Sequence, residues 1–185
     1  MKAQKSNFPE NKESVDLNRV SGFSLVYDQY SPLIWKHIFL RVSLKEEAND
    51  LTAEVFLKTW EYLKSGRKIR QIKPFLYRAA NNLVIDWYRS RKKIISLDQD
   101  LADQELKLEV DAKAEQKLII KEELRDLMVK LDLLREKEKA LLVMRFVDGL
   151  EIDEIAKILG KSKGAVRVGL HRALKSLTQA DNKPK

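Results

Sequence analysis

The side chains with the clearest chemical potential in this sequence are basic, and they are concentrated in two runs. Residues 64–93 contain ten Lys or Arg and a single acid, Asp86, whereas residues 161–175 contain five Lys or Arg and no acid. Basic side chains at this density bind phosphates, and aromatic side chains between them can stack on unpaired bases. The aromatic residues of the first run are Phe75, Tyr77, Trp87 and Tyr88. Because Trp87 shares a helical face with apolar residues, its position favours the core over a stacking surface.

Catalytic chemistry has little support in the residue types present. The chain has no cysteine and only two histidines, His37 and His171, and it shows no glycine-rich phosphate loop. His37 falls beside an apolar stripe, which favours a structural role, and His171 belongs to the basic run. Asp50 and Glu54 are expected to face outward beside basic residues. We therefore predict a non-enzymatic protein without a metal or cofactor.

Composition sets the class of protein and the class of partner. The 185 residues carry a formal net charge of +8 and a pI near 9.5, which favours a polyanion such as nucleic acid or an anionic membrane surface. No apolar run reaches the roughly 20 residues that a membrane-spanning helix needs. The polar N-terminus does not resemble a signal peptide. We expect a cytoplasmic protein that does not insert into a membrane.

The spacing of apolar residues predicts an all-α fold of two small helical domains joined by an acidic linker. Glycine and proline are few, and good helix formers dominate. Helices are expected from Phe23, with a bend at Pro32, from about Lys45 to Leu63, and from Pro74 to Tyr88 or beyond. The predicted boundaries are a flexible arm at 1–20, a first domain at 21–95, the linker at 96–122, a second domain at 123–179 and a tail at 180–185.

A helix-turn-helix is the strongest local pattern, and it spans Leu150–Leu177. Gly160 suits the left-handed conformation of a tight turn, and Ser162 suits the N-cap of the following helix. Apolar residues on that helix share one face and leave a basic face opposite, formed by Arg167, Val168, His171, Arg172 and Lys175. Such a helix fits the DNA major groove, although an ordinary helical hairpin with a solvated charged face is the alternative.

Three stretches resemble one family. REKEKALLVMRFVDGLEIDEIAKILGKSKGAVRVGLHRALKSL, at Arg135–Leu177, resembles region four of sigma factors. EEANDLTAEVFLKTW, at Glu46–Trp60, and FLYRAANNLVIDWYRSRKK, at Phe75–Lys93, resemble region two of the extracytoplasmic-function group. The resemblance implies a protein that binds core RNA polymerase and promoter DNA and directs promoter-specific initiation in a stress or envelope response. It also implies an anti-sigma factor as a partner.

The resemblance implies three sets of site residues. Polymerase binding is expected on an acidic ridge of the second helix, at Glu47, Asp50 and Glu54, where a merely solvated charged face is the alternative. Recognition of the minus-ten element is expected at the loop Ser65–Lys73 and the third helix, at Arg67, Lys68, Arg70, Arg78, Asn82 and Arg89. Recognition of the minus-thirty-five element is expected at Lys163, Arg167, His171 and Arg172.

Two other functions remain open from the residues alone. One is a stand-alone helix-turn-helix regulator, which would need a sensing domain that the helical, basic N-terminal half does not suggest. The other is a single-strand nucleic-acid-binding module that works without polymerase. Binding to core polymerase separates the sigma-factor interpretation from both.

Overall fold

Three long helices build the first domain. They are α1 at Val20–Val42, α2 at Lys45–Lys64 and α3 at Ile72–Leu97 in the computed structural model, which describes residue 17, residues 19–97 and residues 126–181. Each of the three helices contacts the other two, so that they enclose one core. The predicted arm and tail, and the predicted acidic linker at 96–122, lie almost entirely outside the described residues.

The core of the first domain follows the helical period of its sequence. On α1 the buried residues Val26, Tyr30, Ile34 and Ile38 recur every fourth position and form one stripe. Pro32 lies within α1 and does not end it, because the helix continues to Val42. Removing one backbone donor is tolerable where neighbouring helices hold the segment in place.

The ends of α1, α2 and α3 differ only slightly from the prediction. α2 begins at the expected residue, Lys45, and ends at Lys64, one residue later than expected. Gly66, which follows it, has a φ of +79°, a conformation that favours glycine. α3 starts at Ile72, so that Pro74 lies in the first helical turn, where its missing N–H has no intrahelical partner to lose.

The second domain contains shorter helices. Residues 126–132 form α4, α5 spans Glu136–Leu142 and continues as a π-helical turn over Val143–Val147, α6 spans Ile152–Leu159, and α7 spans Lys163–Asp181. α7 contacts both α5 and α6 and buries Val166, Leu170 and Ala173 against them. The prediction of an all-α fold is confirmed for the described residues, while the π-helical turn was not anticipated.

The two domains contact each other. α1 touches α5 and the π-helical turn, and α3 touches α6. The sequence analysis treated the domains as independent units on a linker, so this contact is an additional finding. It places the candidate minus-ten surface of α3 beside the first helix of the helix-turn-helix.

Candidate nucleic-acid and polymerase interface

The turn between α6 and α7 has the predicted helix-turn-helix geometry. Gly160 ends α6 with φ +62° and ψ +35°, and the Lys161 amide donates to the Ala156 carbonyl 2.9 Å away. The Ser162 hydroxyl accepts a hydrogen bond of 3.1 Å from the Ala165 amide, which makes Ser162 the N-cap of α7. The predicted roles of Gly160 and Ser162 are therefore confirmed.

The carboxylate that stabilises the start of α6 belongs to Glu154, in the first turn of the helix, and not to the N-cap residue Glu151. The Glu151 amide donates to the Glu154 carboxylate over 2.8 Å, which satisfies one of the donors that the helix leaves open. The Glu151 carboxylate lies 3.1 Å from the Arg145 guanidinium, and Arg145 also donates to the Leu150 carbonyl over 2.9 Å. The loop before α6 is thereby tied to the π-helical turn.

The face of α7 opposite the core is basic and exposed. Arg167, His171 and Arg172 all face solvent, as the spacing predicted. Lys163 is also exposed, and its ammonium forms an ion pair with Asp153 of α6. Three of the four candidate minus-thirty-five residues therefore present free basic side chains. The fourth, Lys163, would have to leave Asp153 in order to contact DNA.

The candidate minus-ten residues divide between the loop and α3. Arg67, Lys68 and Arg70 are exposed on the loop between α2 and α3. The Arg67 guanidinium lies 5.2 Å from the Tyr62 ring centre, and Tyr62 in turn contacts Phe75 with their ring centres 4.9 Å apart. Tyr62 was not among the predicted site residues, because it belongs to α2 and adjoins the loop only in the folded chain.

On α3 the three candidate residues have different surroundings. Asn82 is exposed, and Arg89 pairs with Asp86 over 3.2 Å on the exposed surface. Arg78 donates through Nη2 to the backbone carbonyl of Lys157 on α6. The structure thus places Asn82 and Arg89 at the surface and places Arg78 at the contact between the domains.

Two aromatic residues of the basic run belong to the core. Tyr77 is 1% exposed, so the expectation that it could stack on a base is wrong for this arrangement. Burial raises the pKa of its hydroxyl. Trp87 is half-buried, packs against the core as expected, and donates through Nε1 to Glu47 over 2.9 Å.

The acidic ridge of α2 is only partly free. Asp50 is exposed, and Glu54 pairs with Lys58 of the next turn over 2.7 Å. Glu47 is half-buried and accepts the Trp87 hydrogen bond, so it stabilises the packing of α2 against α3 as well as contributing charge. Of the three candidate polymerase contacts, Asp50 contributes least to stabilising the fold.

A group of polar and charged residues joins the two domains, and of these the sequence analysis singled out only His37, which it expected to be structural. We call it the interdomain cluster, and it consists of His37 and Arg41 of α1 with Asp132, Glu136, Lys139 and Asp148 of the second domain. Arg41 pairs with Glu136, His37 lies 2.6 Å from Asp148, and Lys139 pairs with Asp132. The cluster residues come from segments about 100 positions apart in the sequence, and only the folded structure shows that they meet.

Burial governs the electrostatics of the interdomain cluster. Arg41 and His37 are fully buried. Loss of water lowers the pKa of the Arg41 guanidinium, and the nearby Glu136 carboxylate acts in the opposite direction. The Arg41 Nη1 also donates to Asn81 over 3.1 Å and to His37 Nε2 over 3.2 Å. Because His37 Nε2 accepts, its ring proton lies on Nδ1 and is donated to Asp148.

The carbonyl of Arg41 is a second point of attachment. It accepts hydrogen bonds from the Tyr88 hydroxyl and from Lys139 Nζ, the latter over 3.2 Å. Burial raises the pKa of Tyr88 to about 12. Ser43, which ends α1 with φ +61°, donates to Asp132 over 3.0 Å. The end of α1 is therefore bound to both α3 and the second domain.

Among the residues that the structure describes, no three histidine or acidic side chains group together in a way that could hold a metal ion. Within the same residues no helix has the length and apolar character needed to cross a membrane.

Comparison with known proteins gives the same two domains. The model of sigma-70 region 2 matches residues 26–94, and that of sigma-70 region 4 matches residues 124–177. The RNA polymerase sigma factor YlaC of Bacillus subtilis is 31% identical, with 80% of this chain and 85% of that protein aligned. The ECF RNA polymerase sigma factor SigD of Mycobacterium tuberculosis is 30% identical, with 82% of this chain and 73% of that protein aligned.

Two further comparisons extend the likeness. The ECF RNA polymerase sigma factor BldN of Streptomyces coelicolor is 28% identical over 90% of this chain, and the chain spans 63% of that protein's length. Among solved structures, the sigma factor RpoE of Bartonella quintana, in complex with the anti-sigma factor NepR, shares the fold with a TM-score of 0.72 at 18% identity. That alignment covers 90% of this chain and all of the RpoE chain. The chain belongs to the ECF sigma factors, which direct the initiation of transcription by bacterial RNA polymerase.

Proposed function

We propose that the second domain reads the minus-thirty-five element through the exposed face of α7, with Lys163, Arg167, His171 and Arg172 as the contacting residues. The observation that carries the proposal is the arrangement of α7 itself. It is capped at Ser162, seated on α5 and α6, and presents its basic face to solvent without an acidic side chain between residues 163 and 175. A helix of this kind places its first turns against base edges in the major groove.

The first domain supplies the minus-ten surface in this proposal. Arg67, Lys68 and Arg70 of the loop, with Arg78, Asn82 and Arg89 of α3, would hold the phosphates of the melted strand. Tyr62 and Phe75 form an aromatic pair beside that loop, where an unpaired base could stack. The exposure of the three loop cations supports the assignment.

Docking on core polymerase is assigned to the acidic ridge of α2. Asp50 and Glu54 supply its accessible charge, and Glu47 supplies charge while also accepting the Trp87 hydrogen bond. A cationic surface of the polymerase is the complementary partner. The domain boundaries given above, 21–95 and 123–179, belong to the same proposal and agree closely with the two matched family regions.

The proposal also covers where the protein acts and what controls it. We infer a cytoplasmic protein that serves a stress or envelope response and is held by an anti-sigma factor until it is needed. The complex of the structurally similar RpoE with an anti-sigma factor supports that partner.

Transcription with purified components tests the proposed function. The chain is mixed with sigma-free core polymerase of the same source, and initiation is mapped across a fragmented genomic library. Initiation at a small set of promoters with shared upstream and downstream elements would support the proposal. No initiation with a core enzyme that another sigma factor activates would favour the stand-alone regulator or the single-strand-binding module.

The role of α7 is tested by Arg167→Ala in the same assay. If Arg167 contacts a base edge, its removal weakens promoter binding by about 1–3 kcal/mol and relaxes preference at one upstream base pair. Lys137→Ala, which removes an exposed lysine of α5, is the matched control. An unchanged upstream footprint and unchanged base preference in the Arg167 variant would remove Arg167 from the reading face.

A further inference from the structure

An apolar groove runs between the start of α1 and the second half of α2. It has a volume of about 440 Å³ and is lined mainly by Val20, Phe23, Tyr27, Phe56, Leu57 and Trp60. Pockets that hold ligand groups have volumes of about 300–1,000 Å³, so the groove is large enough for an occupant. None of these residues belongs to the interdomain cluster or to the candidate minus-ten set. The groove is therefore a separate feature of the first domain.

The rim of the groove leaves large apolar side chains in water. Val20 of α1 is 73% exposed and Leu57 of α2 is 56% exposed. Single apolar side chains are ordinary on a protein surface, but these two border a concave apolar site. Covering them is favourable because the free energy falls with the apolar area removed from water. The groove therefore fits an apolar occupant.

The wall of the groove is aromatic. The ring centre of Phe23 lies 6.3 Å from that of Phe56 and 5.0 Å from that of Trp60, and the ring centres of Tyr27 and Phe56 are 4.8 Å apart. Aromatic-lined grooves bind extended segments that contain proline, because such segments are already close to their bound conformation. An extended segment with proline and an apolar side chain is thus the kind of partner that fits.

The sequence just before α1 contains such a segment. Residues 1–16 include the dipeptide Phe8-Pro9, and Phe8 is the single aromatic residue among them. A residue that precedes proline is restricted towards the extended conformation. The dipeptide therefore combines an aromatic side chain with a backbone that favours the shape the groove accepts.

The point where this segment joins the described residues lies next to the groove. Leu17 is half-buried and packs against the core, and Val20, three residues later, lines the groove. The nine residues from Phe8 to Leu17 can span up to about 30 Å, whereas Val20 to Tyr27 covers only about 10 Å of α1. Phe8 can therefore reach every part of the groove. A short tether also gives it an effective concentration on the order of millimolar, so that even a weak contact is well occupied.

We propose that residues 1–16 fold back along the start of α1 and that Phe8 and Pro9 occupy the groove between α1 and α2. The occupant is thus the N-terminal arm of the same polypeptide, and its docking withdraws Val20 and Leu57 from water. The inference does not depend on the proposed function, and it is measured on the full chain without polymerase or DNA.

Paramagnetic broadening of the tryptophan indole N–H signals tests the docking. Because the chain has no cysteine, Ser6→Cys places a single nitroxide label two residues before Phe8. The indole of Trp60 lies in the groove, whereas those of Trp35 and Trp87 belong to other parts of the domain and serve as internal references.

The expected result is selective broadening of the Trp60 signal. On α1, Trp35 lies twelve residues beyond Phe23, which is about 18 Å along the helix, so the broadening at Trp60 should exceed that at Trp35 about fivefold or more. Equal broadening of the three indole signals would overturn the proposal.

A variant of the arm tests Phe8 as the anchor. In the labelled chain, Phe8→Ala removes the aromatic ring and should lower the broadening at Trp60 about threefold or more. Asn11→Ala changes a nearby polar residue of the same segment and should leave the broadening unchanged. The same broadening in both variants would contradict the role of Phe8.

A variant of the groove tests the other side of the contact. Leu57→Gln places a polar group at the rim and should also lower the broadening at Trp60 about threefold or more. Leu25→Gln is the matched control, because Leu25 is 61% exposed on α1 and does not line the groove. Circular dichroism checks that both variants are folded; if Leu57→Gln is not, Phe8→Ala decides the question. An equal effect of the two leucine variants would contradict docking in the groove.

A mixing experiment separates the arm of the same chain from that of a second copy. Isotope-labelled chains without the nitroxide are mixed with nitroxide-labelled chains without the isotope. The Trp60 signal should keep its width in the mixture, because each groove holds its own arm. Selective broadening of Trp60 in the mixture would show that a second copy supplies the occupant and would overturn the proposal.

Discussion

At the scale of single residues, neighbouring side chains with the same charge have different roles. Glu47 and Asp50 lie one turn apart on α2, yet Glu47 accepts a hydrogen bond from Trp87 whereas Asp50 is exposed. Helical spacing alone assigned both to one acidic ridge. Glu47 and Asp50 differ because only Glu47 meets Trp87 of α3. No local sequence pattern specifies how α3 is positioned against α2.

Substitution of Glu47 should therefore affect mainly stability, whereas substitution of Asp50 should affect mainly the affinity for polymerase. Glu47→Ala leaves the half-buried Trp87 donor unpaired and should lower the free energy of unfolding by about 1–3 kcal/mol. Asp50→Ala should change stability by less than about 0.5 kcal/mol and weaken the affinity for core polymerase. Urea unfolding and polymerase titration separate the two effects. Loss of stability in the Asp50 variant, or unchanged polymerase affinity, would contradict the assignment of Asp50.

Tyr88 gives the protein a predictable response to alkaline pH. Its pKa is raised from 10.0 to about 12 by burial, so the unfolded chain loses this proton first. The contribution of Tyr88 is fully present below pH 10 and is lost as the pH rises from 10 to 12, because deprotonation then favours the unfolded state. Urea midpoints across that range should fall less steeply in Tyr88→Phe than in the wild type. An equal slope in Tyr88→Phe and the wild type would contradict the role of Tyr88.

At the scale of secondary structure, the helices were largely predictable and their contacts were not. The apolar stripe of α1, the glycine after α2 and the Ser162 cap are local signals, and each lies where the sequence placed it. The π-helical turn after α5 has no such signal. The interdomain cluster was missed because its members are separated by about 100 residues, and their periodicity is that of ordinary helix surfaces.

Two glycines of α7 show how packing overrides helix propensity. A Cβ at Gly169 would lie 2.7 Å from Leu141 Cδ1 of α5, whereas the nearest atom to a Cβ at Gly164 is 4.0 Å away. Gly164→Ala should raise the free energy of unfolding by up to about 1 kcal/mol. Gly169→Ala has the same gain in propensity but crowds the buried Leu141, so it should be less stable than Gly164→Ala by at least about 1 kcal/mol. Chemical denaturation of both variants checks the difference, and equal stabilities would show that Leu141 moves aside freely.

At the scale of the whole molecule, the candidate sites separate into accessible and occupied ones. The basic face of α7 and the loop cations are exposed, as the sequence predicted, whereas Arg78 and Lys73 are engaged with α6. Sequence reasoning found the candidate DNA-binding side chains because charge and periodicity mark them. It could not find which of them already have a partner on α6, because that depends on a contact between domains.

The response to salt distinguishes this contact from a general attraction between charged surfaces. Ions screen exposed charges strongly and buried pairs weakly. Energy transfer between dyes attached at Ser21→Cys and Gln179→Cys, which are exposed positions of the two domains in a chain without cysteine, should therefore change little between 50 and 500 mM NaCl. A progressive fall in transfer over that range would show that the domains are held by exposed charges and not by the interdomain cluster.

The hydrogen bond from Arg78 to the Lys157 carbonyl has a consequence for the proposed binding of DNA at α3. A phosphate that takes the Arg78 guanidinium must replace the Lys157 carbonyl as its acceptor, so binding at α3 is coupled to the contact between α3 and α6. On the proposed function, a change at position 78 therefore acts on two properties at once, the grip on DNA and the contact between the domains.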